Sequence, residues 1–268
     1  MMHFEKSYEF ANIRSGNLHF VNENEFVYSS YSTRYITWIK GSERYATQVK
    51  DNRPIAVIDN IFYFRKENVE RTIYKAELIE DHIEVSAHIE VDPDTKWFHD
   101  SGSIHYFIER EAHPGTSFAI PINKDYRSIE GIPFDISLED IEQFDRVCVI
   151  GKYLLCFKNI EEHCCSCKRY ESGSTVFVER NDLPYMVFYA LTTFDRFILY
   201  MTREKAYASI DTCDLSWKRI ETDLDDYSRI VGVNDRGLMT VQSFKNSEPK
   251  LIHSAYLPDH IVSVVHRN

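Results

Sequence analysis

A short apolar and aromatic run returns along the whole chain at a nearly constant spacing, and this repetition constrains the fold more than any other feature. The run is clearest at residues 60–64 (NIFYF), and its relatives lie at residues 17–21, 103–107, 153–157, 197–200 and 238–244. Measured between the last residues of these runs, the intervals are 43, 43, 50, 43 and 44 residues. A self-similar pattern of this kind predicts a repeat protein.

The period and the residue types together indicate the architecture. A period in the forties, built from short aromatic runs and turns, is typical of a β-propeller, in which each repeat forms one four-stranded blade. A Val/Ile-rich run and a turn precede the aromatic run, as at residues 55–58 and Asp59-Asn60. Asp and Asn tolerate the positive φ angles of tight hairpins. We therefore predict an all-β fold, a six-bladed β-propeller that occupies residues 1–268 as a single domain of six repeats of about 44 residues.

One interval is longer than the others, and the sequence offers a reason. Residues 137–140 (SLED) resemble a capping box, in which the Ser137 hydroxyl accepts a hydrogen bond from an amide of the first helical turn. Leu138, Ile141 and Phe144 follow at near-helical spacing. This pattern predicts one short inserted helix over residues 138–144. At the other end of the chain, residues 261–265 (IVSVV) are predicted to form a strand that helps to close the disc.

Charge and composition limit the classes of partner. The formal net charge of −11 argues against nucleic acid and against an anionic membrane, because both are bound through Lys and Arg. No apolar stretch reaches the length of a membrane span, and residues 1–6 lack the apolar core of a secretory signal. A chain with 43% apolar residues needs no disulfide framework, so the six cysteines are expected to be reduced. The expected location is intracellular, cytoplasmic or nuclear.

The repeats resemble those of kelch-like and WD-like β-propellers, and the resemblance covers the whole chain. Residues 211–217 have the Asp-to-Trp spacing of part of a kelch repeat, but the Gly-Gly pair of kelch repeats and the Gly-His and Trp-Asp pairs of WD repeats do not occur. The likeness is therefore architectural, and no named family is matched. It implies a disc that most often serves as a platform for protein partners and less often as an enzyme.

Three short motifs suggest chemistry, and each has a structural alternative. Residues 163–167 (HCCSC) offer zinc ligands, but neighbouring residues of a strand point to opposite faces and no second Cys/His pair is suitably spaced, so no metal and no cofactor are predicted. Residues 109–115 (EREAHPG) combine groups for acid–base catalysis, or form a solvated loop. An Asp-His pair recurs at residues 81–82 and 259–260, either as a duplicated site or as a capped turn.

Two functions from different classes remain. The first is a non-catalytic platform, a scaffold or adaptor subunit that binds a protein or peptide in an intracellular assembly. The second is a propeller-type hydrolase or lyase whose residues converge on the central channel. The sequence contains no phosphate loop and no nucleophile elbow, so no catalytic residue is predicted and the first function is favoured.

A cation follows or ends the aromatic run in five of the six repeats, and these cations are the predicted binding residues. They are Arg65, Arg110, Lys158, Arg203 and Lys245. Equivalent strands end on the same face of a propeller, so the five side chains are expected to form a basic ring that attracts an acidic or phosphorylated segment. The alternative is that nearby acidic residues neutralise them, namely Glu67, Glu109, Glu111, Glu161, Glu204 and Glu248.

Overall fold

A computed structural model describes residues 6–9, 17–22, 25–30, 34–50, 52–66, 69–99, 104–160, 164–220, 228–233, 238–243 and 251–256. The strands of these segments pair into four-stranded antiparallel sheets. Strand β1 (Lys6–Glu9) comes first in the chain. Sheet I contains β2 (Asn17–Asn22), β3 (Glu25–Ser30), β4 (Tyr35–Lys40) and β5 (Glu43–Gln48). Sheet II contains β6 (Asn52–Ile58), β7 (Ile61–Lys66), β8 (Val69–Ile79) and β9 (His82–Glu90).

The remaining sheets repeat this arrangement. Sheet III contains β10 (Lys96–His99), β11 (His105–Glu109), β12 (Ser117–Pro121) and β13 (Ile132–Phe134). Sheet IV contains β14 (Arg146–Ile150), β15 (Tyr153–Asn159), β16 (Cys164–Glu171) and β17 (Phe177–Pro184). Sheet V contains β18 (Met186–Phe194), β19 (Phe197–Thr202), β20 (Tyr207–Asp211) and β21 (Trp217–Ile220). Sheet VI contains β22 (Ser228–Val233), β23 (Leu238–Ser243) and β24 (Leu251–Tyr256), with β1 as its fourth strand.

Successive sheets pack face to face, which is why the aromatic runs lack a clean polar alternation. Neighbouring residues of β7 show this: Phe62 and Phe64 join a buried cluster with sheet I, whereas Tyr63 joins a cluster with sheet III. Similar clusters lie between sheets III and IV and between sheets IV and V. Strands covered on both faces are apolar throughout. The first strand of sheet I contacts the first strands of sheets II and VI, β2 against β6 and β22, so sheet VI lies next to sheet I. The chain is a β-propeller.

The predicted hairpin and the predicted helix cap are both present. Asp59 and Asn60 have φ angles of 52° and 63°, the left-handed conformation that a two-residue hairpin turn requires. Helix α1 (Leu138–Ile141) begins after Ser137, whose Oγ accepts a hydrogen bond from Asp140 N at 3.0 Å. The helix is one turn long and ends three residues before the predicted Phe144, because Gln143 and Phe144 already bond at shorter range to Asp140 O and Ile141 O. It contacts β10 and β11. It is too short to cross a membrane, as is any helix in the described ranges.

The phase of the first repeat was predicted wrongly. The run at residues 17–21 lies in β2, the first strand of sheet I, whereas the other five runs lie in or around second strands, namely β7, β11, β15, β19 and β23. The true equivalent is β3, with Phe26 and Val27 buried. The division of residues 1–268 into six consecutive repeats puts the start of the chain in the first repeat, but β1 pairs with β24 through four residues from Lys6↔Ser254 to Glu9↔Leu251. The first strand thus completes the last sheet. The predicted strand at residues 261–265 lies outside the described residues.

Candidate binding face

The topology places the predicted binding residues at equivalent positions. Strands β7, β11, β15 and β19 are the second strands of four successive sheets, and each pairs antiparallel with the first strand of its sheet. Equivalent strands of a propeller run in the same direction, so their carboxyl ends reach the same face of the disc. We call this the upper face. Arg65 and Lys158 are the next-to-last residues of β7 and β15, and Arg110 and Arg203 directly follow β11 and β19. Lys245 lies outside the described residues.

Arg65 is half-buried between two sheets. Its guanidinium carbon lies 5.8 Å from the centre of the Trp97 ring, which belongs to β10 of the next sheet. In the sheet register, Arg65 stands opposite Ile73 on one side and opposite Arg53 on the other. A guanidinium packed over an indole gains a cation–π attraction of about 0.5–1 kcal/mol where the pair is exposed, and more where it is desolvated. The position of Arg65 is therefore set by the boundary between sheets II and III.

Arg110 lies at the same boundary but is used internally. Its Nη2 donates to three backbone oxygens, Tyr126 O, Ile129 O and Glu130 O, at 3.2, 3.1 and 3.2 Å. Its guanidinium carbon also lies 5.4 Å from the centre of the Phe118 ring. This side chain thus anchors the long connection between β12 and β13 through hydrogen bonds. One end of the Arg110 guanidinium is therefore already engaged within the protein.

Lys158 and Arg203 are exposed, and they belong to sheets IV and V. The guanidinium carbon of Arg203 lies 5.7 Å from the centre of the Tyr185 ring, and Arg203 N donates to Tyr185 O at 3.2 Å. The residue after Lys158 is Asn159, whose backbone N–H donates to Asp145 Oδ2 at 2.9 Å. A carboxylate therefore lies close to the end of β15. The upper face therefore has two exposed cations, Lys158 and Arg203, on sheets IV and V, and the half-buried Arg65 at the boundary between sheets II and III.

The loop after β11 has structural contacts for Glu109, Arg110 and His113, three of the groups that suggested acid–base chemistry. Glu109 accepts from Gly115 N at 3.3 Å and from Leu138 N at 3.4 Å, and its Oε1 lies 3.5 Å from Lys96 Nζ. The carboxylate thereby joins the loop to the start of α1. The exposed His113 ring packs at 5.7 Å against Phe118. Together with the carbonyl contacts of Arg110, these interactions explain the loop as a structural element.

The cysteine-rich run forms part of β16, with His163 outside the described residues. Cys165 and Cys167 are fully buried among apolar side chains, and burial raises the pKa of the Cys165 thiol to about 12. Burial also raises the pKa of Cys156 on the neighbouring strand. A protonated thiol is a poor metal ligand. Within the part of the chain that the structure describes, no group of three or more His, Cys, Asp or Glu residues has the geometry of a metal site.

Of the recurring Asp-His pair, only the first copy is described. His82 Nδ1 lies 3.5 Å from Asp81 Oδ1 in the turn between β8 and β9, and both side chains are exposed. Residues 259–260 lie outside the described residues. An exposed pair of this kind contributes little to stability.

The sequence reasoning missed Arg53. It lies in β6, near a Pro that interrupts the strand, and the run containing it was predicted to start only at residue 55. The register of the hairpin could have indicated this residue. The Asp59-Asn60 turn pairs Ile58 with Ile61, and continuing this pairing away from the turn brings residue 53 close to residue 65. A register shift between Pro54 and Ala56 then makes Arg53 and Arg65 direct partners.

Comparisons with known proteins agree with the fold and extend no further. The sequence matches no protein-family model, and no curated protein matches it. Among solved structures, the PQQ-bound aldose sugar dehydrogenase from Streptomyces coelicolor is similar with a TM-score of 0.52 and 9% identity, over 96% of this chain and 98% of that chain. The WD40 β-propeller domain of Doa1 is similar with a TM-score of 0.48 and 10% identity, over 97% of this chain and 98% of that chain. BamB from Moraxella catarrhalis is similar with a TM-score of 0.39 and 10% identity, over 93% of this chain and 75% of that chain. At such identities the likeness shows the fold alone.

Proposed function

We propose that this propeller is a non-catalytic platform, a scaffold or adaptor subunit that binds an acidic or phosphorylated segment of a protein partner on its upper face. The observation that carries the proposal is the recurrence of a cation at the same strand end in successive sheets, at Arg65, Arg110, Lys158 and Arg203, within a chain of net charge −11. The proposal also includes the fifth cation, Lys245, which lies outside the described residues. A local basic surface on an acidic protein attracts anions to that surface and repels them elsewhere.

The members of the ring have different roles in the proposal. Arg65 offers a guanidinium held in place by Trp97, and Arg groups bind carboxylates and phosphates through paired hydrogen bonds. Lys158 and Arg203 are exposed and supply charge that reaches the partner directly. Arg110 contributes to the electrostatic field while its Nη2 holds three carbonyls. We therefore expect the partner's anionic groups to bind most tightly where exposed cations lie near a cation whose position is already fixed.

The blade count is part of this proposal. Five sheets consist of consecutive strands and form five blades, one fewer than the six predicted from the sequence, and our proposal is that the sheet joining β1 to β22–β24 closes the disc as a sixth. A disc closed in this way would bring all five second-strand cations to one face. We further propose that the protein works inside the cell, cytoplasmic or nuclear, without nucleic-acid or membrane partners. The free state of all six cysteines, Cys213 among them exposed, supports a reducing environment.

The test is a triple charge reversal on the upper face. Arg65→Glu, Lys158→Glu and Arg203→Glu are combined, and Arg110 is left intact because its reversal would release a loop. The control reverses three exposed cations elsewhere, Arg44, Lys124 and Lys218, with the same change in net charge. Both proteins are probed with arrays of acidic, phosphorylated and neutral peptides, and then with a partner that is captured from lysate, identified and purified.

The proposal expects the wild type and the control to bind acidic or phosphorylated peptides and the purified partner, and the upper-face variant to lose both while it remains folded and unfolds in one cooperative transition. Equal binding by the upper-face variant would place the interface elsewhere. The alternative function, a hydrolase or lyase acting at the central channel, would instead be supported if the purified wild type turned over a substrate and the upper-face variant retained that activity.

A further inference from the structure

Most outer edges of sheets I to V carry features that disfavour pairing with another strand. The fourth strand of each sheet forms this edge, and its free side presents backbone N–H and C=O groups. β5 has the exposed Glu43, β9 the exposed Glu84 and β21 the exposed Lys218. β13 is three residues long and contains Pro133. Charges, Pro and short length are the usual means by which proteins protect an edge strand.

The outer strand β17 begins without such protection. Phe177 and Val178 are 44% and 43% exposed, and Val176, directly before the strand, is exposed still more. Val176 N donates to Ser174 Oγ at 3.2 Å, so the open edge starts at Phe177. Among the strands that the structure describes, β17 pairs with β16 alone. An edge strand that starts with exposed apolar side chains is suited to accept a further strand.

The register shows that these apolar side chains lie on both faces of sheet IV, because directly opposite residues leave a sheet on the same face. Phe177 lies opposite Tyr170, which packs against the cluster between sheets III and IV. Val178 lies opposite Arg169, whose Nη1 donates to Thr212 O of sheet V at 2.9 Å. A strand added outside β17 would therefore meet an apolar neighbour on each of its faces.

Sheet V adds an apolar side chain to the second of these faces. Trp217 of β21 is exposed and lies opposite Ile210, a member of the cluster between sheets IV and V. Trp217 therefore faces the same boundary as Val178. Arg180 Nη1 donates to Leu215 O at 2.9 Å, which fixes β17 to the connection that leads to β21. The outer end of this boundary thus has apolar side chains from both sheets.

The charges on β17 indicate which strand this edge would accept. Arg180 Nε lies 2.6 Å from Asp182 Oδ1, and the carboxylate is 70% exposed whereas the guanidinium is 31% exposed. Glu179 pairs with Lys168 at 3.9 Å and is also slightly the more exposed partner. The charge that reaches solvent along the edge is therefore mainly negative. It favours a segment that carries Lys or Arg.

A second copy of this chain fits the edge less well. Each copy has a net charge of −11, and like net charges of this size keep proteins apart. Stable interfaces between folded proteins bury about 1,200–2,000 Å². The eight residues of β17 offer a single strand edge, which is far less. An extended segment needs no larger surface, because its backbone hydrogen bonds supply part of the affinity.

We propose that the outer edge of β17 is a second interaction surface, on the rim of the disc, which binds an extended segment of a partner protein by strand addition. The segment has apolar side chains at alternate positions and Lys or Arg at its ends. Its backbone pairs with β17 from Phe177 onwards, and its apolar side chains pack on Phe177, Val178 and Trp217. This surface is separate from the upper face and does not depend on anion binding there.

The test uses three blocked eight-residue peptides on the full-length protein. The first alternates valine and threonine over six residues between two terminal lysines. The second has the same sequence with N-methyl groups on its central amides, which removes the backbone donors and keeps the side chains. The third has glutamates in place of the lysines. Binding is measured by calorimetry, and hydrogen exchange with mass spectrometry locates the protected amides, at concentrations where each peptide alone is monomeric.

The variant is Val178→Lys, which places a charge on the edge. The control is Val69→Lys, the same substitution at an exposed position of β8 in sheet II. The lysine peptide should bind the wild type and the control equally and should slow exchange within residues 177–183. Val178→Lys should weaken binding on the order of tenfold or more, because a like charge replaces an apolar contact. The glutamate peptide should bind more weakly, and the N-methylated peptide should not bind.

Three results overturn the inference, and the first two need no protein variant. One is equal binding of the N-methylated and unmodified peptides, which would exclude strand pairing. Another is binding of the lysine peptide without slower exchange in residues 177–183, or no binding at all. The third comes from sedimentation of the protein alone: a dimer that Val178→Lys abolishes and Val69→Lys retains would show that a second copy occupies the edge.

Discussion

Asn159 joins two neighbouring sheets through its side-chain amide, and its replacement by alanine should destabilise the propeller measurably. The amide Nδ2 donates to Met186 O at 3.1 Å, and Met186 N donates to Asn159 Oδ1 at 3.2 Å. One side chain at the end of β15 therefore satisfies both backbone groups of the first residue of β18. Met186 is fully buried, with 0% of its surface exposed. These two backbone groups have no easy access to water.

The magnitude follows from what Asn159→Ala leaves behind. A buried backbone group without a partner costs about 1–3 kcal/mol, and two such groups remain. Asn159 is only half-buried, so water enters part of the space that its amide leaves, and we expect a loss of about 2–4 kcal/mol. Unfolding entropy of about 2.1 cal/mol/K per residue gives roughly 560 cal/mol/K for 268 residues. The melting temperature should therefore fall by about 4–7 °C.

Differential scanning calorimetry measures this directly, and urea unfolding gives an independent free energy. The matched control is Asn181→Ala, which makes the same substitution on the exposed outer strand β17 and should leave the melting temperature within about 1 °C. If Asn159→Ala melts with Asn181→Ala and the wild type, the amide does not hold the two sheets together. A cooperative transition in both variants is needed to read the shift as a stability difference.

Three further predictions concern separate parts of the chain. Arg110→Met should lower the free energy of unfolding by about 1.5–3 kcal/mol, because a charged donor to three carbonyls is lost. Lys158→Met is the control and should have little effect. Both are measured by urea unfolding, and equal losses of stability would contradict the internal role of Arg110. Val176→Lys should slow aggregation in a light-scattering assay at an unchanged melting temperature, since Val176 is 71% exposed beside the outer strand β17 and edge-strand charges prevent pairing with other chains; Thr175→Lys, if equally effective, would show that charge alone suffices. Burial lowers the pKa of His105 to about 4, so between pH 6.5 and 4 the unfolded chain takes up a proton that the folded chain does not. The stability from this neutral histidine is complete above pH 6.5 and declines by up to about 3 kcal/mol as the pH falls to 4. His105→Gln should remove that part of the slope in urea unfolding from pH 7.5 to 4.5, and an unchanged slope would assign it to other groups.

The period of the sequence predicted the propeller because five of the six aromatic runs lie in or next to second strands, which have large side chains buried against the neighbouring sheets. Phe64, Phe107 and Tyr200 all lie in fully buried positions of such strands. The Asp59-Asn60 turn and the Ser137 cap were also predictable, because each depends on local chemistry within four residues. These features follow from short-range physics, in which a residue's own conformational preference or hydrogen bond decides the structure.

The phase of the first repeat was not predictable in the same way. The run at residues 17–21 resembles the second strands in composition. It nevertheless forms the first strand of sheet I, because the preceding strand β1 is not part of sheet I and pairs with β24 of sheet VI. That choice is made by a partner more than 200 residues away in the sequence. Apolar strands that are covered on both faces look alike whichever place in the sheet they occupy. Strand identity therefore requires knowledge of how the ring closes.

The cations show most directly why a site is harder to predict than a fold. Arg110, Arg169 and Arg180 all donate to backbone oxygens of loops or of the next sheet, the last two to residues 212–215 between β20 and β21. The chain has only nine glycines, so its loops are built from residues with side chains and need such anchors. In composition these arginines are indistinguishable from Arg53, which stands exposed opposite Arg65. What makes these arginines anchors is a carbonyl within reach of the guanidinium, and this depends on sheet packing. The sequence therefore shows which cations recur at strand ends, and only the three-dimensional contacts show that Arg110 anchors a loop while Lys158 is exposed.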